Sequence, residues 1–177
     1  MPKKKEKVVT LRMDQDSFKT VEDYAKSKGL SVSAYITSLL NTYTEFFIPL
    51  ASTERIAFPK KALYQLYSYA SKESLDNLVR EWSDEPKNAV RLLGGEFNLE
   101  SALNSVSKVS KYLMGTDARI ITTEQKNTWI VIRHNLGKNF SYFWNRMFIR
   151  FFESLQDQVD IVTEYDDTTI SIRLKEK

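Results

Sequence analysis

Cysteine is absent from this chain of 177 residues, and there is a single histidine, His134. Without thiols there are no disulfides, no thiolate nucleophiles and no cysteine-ligated zinc or iron–sulfur centres. One imidazole excludes a multi-histidine metal site within a chain, and a nickel sensor needing several imidazoles and a thiolate fails on both counts. No metal and no cofactor is expected. Long apolar runs are missing as well, and none approaches the length of a membrane span. "MPKKKEK" supplies a basic start, but "VVTLRM" behind it is too short and too polar for the apolar core of a signal peptide. The expectation is a cytoplasmic protein without a membrane partner. There is no nucleophile elbow, phosphate-binding glycine loop, HExxH or dinucleotide fingerprint. The acidic pair Asp166-Asp167 falls at a predicted hairpin turn, where such residues serve turn geometry. No enzyme activity is expected.

What is present suits a folded chain: 42% hydrophobic and 28% charged residues. The net charge of +3 is too small to select a partner by itself. Its distribution says more, because Lys3, Lys4, Lys5 and Lys7 crowd the first seven residues. The segment "KVVTLRM" then alternates with a period of two. Val9, Leu11 and Met13 share one face, and Val8, Thr10 and Arg12 the other. Asp14 or Asp16 can cap a helix whose apolar stripe is Phe18, Val21, Tyr24 and Ala25. Gly29 is a left-handed stop, and Ser31 is the cap of a second helix carrying Ile36, Leu39, Leu40 and Tyr43 and running to about Phe47. "FIPLASTERIAFPK", with Pro49 and Pro59, lacks periodicity and reads as a boundary.

The predicted organisation is a module over 1–48, a linker over 49–60 and a domain over 61–177. The last reads as α+β: helices, then hairpin, helix, hairpin. Helical segments are "KKALYQLYSYA", "KESLDNLVREW", "EPKNAVRLL" and "NLESALNSVSKVSKYLMG", the last with Asn98 as its cap and Gly115 as its stop. "ARIITTE", "QKN" and "TWIVIRH" predict one hairpin, and "VDIVTEY", Asp166-Asp167 and "TTISIRL" a second. Between them lies the apolar helix "NFSYFWNRMFIRFFESL".

A lone strand needs a partner, and the first module contains no other. Two copies pairing their strands would bury Val9, Leu11 and Met13 with the helix stripes. Over residues 7–47, the alternating strand, the "KGLSVSAYI" turn and the apolar second helix resemble the ribbon-helix-helix fold of the Arc/MetJ/CopG superfamily. The resemblance implies a β-α-α intertwined homodimer, possible as a tetramer through the second domain, that binds double-stranded DNA with a β-ribbon in the major groove. It implies base contacts from Val8, Thr10 and Arg12, chemically suited to thymine methyl groups and to guanine O6 and N7. It places phosphates at the N-terminus of the second helix, on Ser31, Val32 and Ser33, with Lys3, Lys4, Lys5 and Lys7 adding non-specific attraction. The functional expectation is a sequence-specific transcriptional regulator, a repressor on a palindromic operator. A plasmid copy-control or partition protein and a module that only dimerises are the alternatives.

In the second domain, "RHNLGKNFSYFW" offers the candidate site for an unknown small-molecule effector. His134 ends a strand, Gly137 permits a tight turn, Lys138 adds charge, and Asn139 or Ser141 can cap a helix whose N-terminus holds an anion. The same residues also describe a histidine bonded to nearby backbone in an ordinary strand-to-helix turn. Phe140, Phe143, Trp144, Met147, Phe148, Phe151, Phe152 and Leu155 recur at helical spacing, as a core, a dimer interface or a ligand pocket would require.

Overall fold

A computed structural model describes residues 7–51, 58–112, 114, 116–124 and 127–177. The chain divides into two compact units, 1–48 and 49–177. In the first, α1 spans Gln15–Ser27 and α2 spans Val32–Thr42, followed by a π-helical turn over Tyr43–Phe47. Asp14 starts α1, its carboxylate accepting the Ser17 N–H at 2.8 Å. These hydrogen bonds hold the Asp14 carboxyl below its ordinary pKa. Gly29, at φ 66°, ends it, and the Leu30 N–H returns to the Ala25 carbonyl in a Schellman closure. The Ser31 hydroxyl caps α2 by accepting from the Ala34 N–H at 3.1 Å.

The ribbon expected ahead of these helices is overturned. The described chain begins with helices, and residues 7–14 form no strand. The physical reason is that period-two alternation sorts side chains between faces but does not supply hydrogen bonds. A strand exists only as one side of a ladder, and among the described residues the ladders all belong to a sheet at the C-terminal end. The β-α-α fold class is accordingly replaced by a helix-rich chain with a four-stranded antiparallel sheet.

The second unit carries α3 (Lys60–Tyr69), α4 (Lys72–Glu81), α5 (Glu85–Gly94) and α6 (Leu99–Tyr112). There follow β1 (Asp117–Thr122), β2 (Asn127–Arg133), α7 (Lys138–Glu153), β3 (Val159–Tyr165) and β4 (Thr169–Glu176). Side-chain oxygens of Ser71 and Asn98 bond the Ser74 and Ser101 N–H groups and start α4 and α6. The strand order is β1-β2-β4-β3, every neighbour antiparallel, so the second hairpin joins the first through β4. The predicted stop Gly115 and most of the "QKN" turn lie outside the described residues.

The core forms on one face of the sheet. Alternate residues Ile130 and Ile132 of β2 and Ile170, Ile172 and Leu174 of β4 are buried. They pack with Phe148, Phe151, Phe152 and Leu155 from α7 and its end, and with Val90, Ala102 and Val106 from α5 and α6. The opposite side of α7 presents Phe143 and Met147 to Leu75 and Val79 of α4. A helix wedged between a sheet and other helices must be apolar nearly all round, and this explains the density of aromatic residues in α7. Burying a side chain of this size contributes about 1.5–3 kcal/mol.

Candidate functional site

In the first unit, the described residues that the resemblance assigns to DNA are exposed with one exception. Val8, Thr10 and Arg12 are exposed, as are Lys7, Ser31 and Ser33, while Val32 is half-buried. Lys3, Lys4 and Lys5 lie outside the described residues. The apolar partners of the segment are exposed too: Val9 is 75% accessible and Leu11 is 56%. Both faces of residues 7–13 thus meet solvent. The stripe of α2 does the same at Leu39, Leu40 and Tyr43. Among described residues 7–48 only Ala25 and Phe46 are buried. Tyr24 stacks on Tyr35 at 6.2 Å between α1 and α2, a half-exposed contact rather than a core. A unit this small and this open lacks the burial that independent folding requires.

At the start of α2 the Ser31 hydroxyl oxygen accepts from the Ala34 N–H, and its own O–H is left to donate. An anion there would meet that O–H, the Ser33 hydroxyl and the first-turn N–H groups, at the positive end of the helix dipole.

The second candidate lies where β2 passes into α7, and the structure brings part of it together. His134 and Ser141 are both buried, with Nε2 and Oγ 2.9 Å apart. The Leu136 N–H donates to His134 Nδ1 at 3.2 Å, so that nitrogen must be the unprotonated one. The proton therefore sits on Nε2, which donates to Ser141. This tautomer is the wrong one for a base that would activate the hydroxyl. Burial lowers the His134 pKa, with the Asp166 charge opposing and Lys60 reinforcing the shift. The arrangement is a neutral histidine locking a turn, with the main-chain N–H of His134 donating to the Thr168 carbonyl at 2.8 Å.

Asn139 is not a cap. Its amide nitrogen donates to the Tyr67 carbonyl at 2.9 Å and the Ala70 carbonyl at 3.0 Å, tying the end of α3 to the start of α7. Neither Asn139 nor Ser141 caps α7, whose first residue follows Gly137 without a side-chain cap. Gly137 has φ 82° and ψ 172°, a conformation nearly confined to glycine. A Cβ there would stand 3.1 Å from Tyr64 Cε2. Lys138 is exposed beside a groove of about 210 Å³ lined by Tyr64, Ser68, Leu136, Gly137, Lys138 and Asn139. This is small for a metabolite.

Sequence reasoning missed two polar features around α7. The Tyr142 hydroxyl donates to the Asp76 carboxylate at 2.8 Å, and this bond raises the Tyr142 pKa. Arg146 approaches the same carboxylate at 3.7 Å. Arg146 also lines a groove of about 510 Å³, with Ser83, Lys87, Ile149, Arg150, Glu153 and Ser154. Its basic character is largely offset, since Lys87 pairs with Asp84 at 3.1 Å, Arg146 with Asp76, and Glu153 lies in the wall. Tyrosine-to-aspartate pairs separated by 66 residues leave no short-range signature.

Among the described residues, no cluster of three or more metal-ligating side chains occurs, and no helix is long and apolar enough to cross a membrane. No protein-family model matches the chain, and no curated protein matches it either.

Proposed function

We propose that the chain acts as a homodimeric, sequence-specific regulator that binds double-stranded DNA through its first unit, repressing transcription in the cytoplasm. The observation that carries this reading is the first unit's lack of a core. Its apolar side chains, Val9, Leu11, Met13, Leu39, Leu40 and Tyr43, are all exposed in the single chain. A second copy offers the same set of apolar groups, so a two-fold contact buries both sets at once. Val8, Thr10 and Arg12 are exposed in the same segment and remain accessible to DNA. Arg12 suits guanine O6 and N7, Thr10 can donate, accept or meet a thymine methyl, and Val8 suits a thymine methyl. The first-turn N–H groups of α2 and the lysines at 3, 4, 5 and 7 suit phosphates.

The test is selection of bound duplexes from a random library with the full-length protein, followed by sequencing. A palindromic consensus is expected. Recovery of sequences no different from the input library would refute sequence-specific binding. A second reading, in which the first unit only dimerises, draws on the same exposed apolar side chains. It is the correct one if selection fails while the protein remains a dimer at micromolar concentration.

A further inference from the structure

The sheet has a second face, opposite the one on which α5, α6 and α7 pack. Its side chains form rows across the strands, set by the register. One row runs Ile121, Trp129, Arg173, Val162, and the next Arg119, Val131, Ser171, Glu164. In the first row Ile121 is 58% exposed, Trp129 41% and Val162 50%, with the Arg173 guanidinium 5.5 Å from the Trp129 ring. Exposed tryptophan and branched aliphatic residues in one line across four strands are unusual on a surface that meets only water.

We infer that this outer face is a self-association surface, packing against the same face of a second copy about a two-fold axis parallel to the strands. The charge pattern selects that axis. Acidic Asp160 and Glu164 lie on β3, whereas basic Arg173 and Lys175 lie on β4. A two-fold across the strands would set each strand on its own copy, acid facing acid and base facing base. A two-fold along the strands sets β1 over the partner's β3 and β2 over its β4. Residues in one row then meet residues of the same row: Arg119 with Glu164, Ile121 with Val162, and Trp129 with Arg173. Among the described residues Arg119 pairs with Asp117, at 3.8 Å and largely exposed, a pairing of little energetic weight. Asp117 stays at the end of the face, beyond these two rows.

The size of the face sets the expected strength. Four strands about 4.8 Å apart and some six residues long give a footprint of roughly 400 Å² per partner. That lies at the weak end of specific interfaces, so the contact is effective when another contact already holds two copies together. The inference does not depend on DNA binding, and its test is separate.

The absence of cysteine makes that test clean. Full-length Arg119→Cys and Glu164→Cys are prepared singly and mixed under mild oxidation, then resolved on a non-reducing gel. Positions 119 and 164 lie on opposite edge strands, about 14 Å apart at three strand spacings. That exceeds the reach of a disulfide, so a double variant cannot close within one chain. The expected result is a covalent dimer in the mixture and in the double variant, at least tenfold above either single variant, and lost when Trp129→Glu is added. Trp129 lies outside the core, so thermal unfolding of Trp129→Glu should match the parent and exclude misfolding as the cause. A mixture that crosslinks no more than the single variants overturns the inference, as does crosslinking of each single variant to itself. Quenching of Trp129 fluorescence by a single-stranded oligonucleotide, with no crosslink in the mixture, would assign the face to nucleic acid and also overturn it.

Discussion

Replacing Asn139 with aspartate changes one NH₂ into an oxygen and leaves the shape almost intact. Two effects oppose each other. Asn139 is the second residue of α7, where a carboxylate gains about 0.3–1 kcal/mol from the helix dipole. Against this, the amide nitrogen donates to two main-chain carbonyls, Tyr67 at 2.9 Å and Ala70 at 3.0 Å. The atom assignment is secure on chemical grounds, because both partners are acceptors. Each bond contributes about 0.5–1.5 kcal/mol, and a carboxylate oxygen facing two carbonyl oxygens adds repulsion. The loss wins by about 2 kcal/mol, or about 4–8 °C in Tm for a chain of this size. The assay is urea and thermal unfolding of the full-length protein followed by circular dichroism. Asn139→Ala, which loses the bonds without adding a charge, should fall between the parent and Asn139→Asp. If Asn139→Asp is as stable as the parent, or more stable than Asn139→Ala, the dipole dominates and the account of this residue is wrong.

Gly137→Ala should destabilise by about 1–3 kcal/mol, because an L-residue is strained at φ 82° and its Cβ meets Tyr64, and this is measurable in the same urea titration. His134 has a folded pKa below its unfolded value because it is buried, so the unfolded chain takes up the proton more readily. Stability should be constant above about pH 6.5, the unfolded histidine value, and fall as pH drops below it. His134→Gln should flatten that limb in unfolding measurements between pH 5 and 8. Phe152→Ala removes a fully buried ring from the cluster beneath the sheet and should cost about 3–5 kcal/mol by chemical denaturation. Leu39→Glu, at an exposed position of α2, should leave thermal unfolding of the second unit unchanged and weaken self-association in ultracentrifugation at least tenfold.

Local chemistry was the most legible part of the sequence. Ser31 caps α2 as its position ahead of an apolar run implied, and Gly29 takes the left-handed conformation. The alternation of Ile170, Ile172 and Leu174 marks a strand buried on one face. The i, i+3, i+4 pattern of α7 identifies a buried helix, although not that it is packed from both sides. Residues 7–13 mislead for a definable reason. Their alternation is as clean as that of β4, but β4 has β2 and β3 beside it, and among the described residues no strand pairs with the N-terminal segment. Pairing is a tertiary property that periodicity does not encode. The same limit hid the function of Asn139, whereas His134 takes the turn-locking arrangement that was one of its two readings. Each partner is a backbone group or a side chain brought close by the fold, and residue type alone cannot say which hydrogen bond a polar side chain makes. The row Ile121, Trp129, Arg173, Val162 was invisible until the strand order and register joined residues from all four strands.

The central claim is that the first unit reads DNA, and Arg12 tests it most directly. The measurement is the dissociation constant of full-length protein and of Arg12→Ala for the selected duplex, at one moderate salt concentration. A scrambled duplex serves as reference. Arg12 is exposed, so its removal should leave the fold intact. The account predicts that Arg12→Ala loses about 1–3 kcal/mol, roughly 5- to 150-fold, on the selected duplex and little on the scrambled one. Equal affinity of the two proteins for the selected duplex would contradict it.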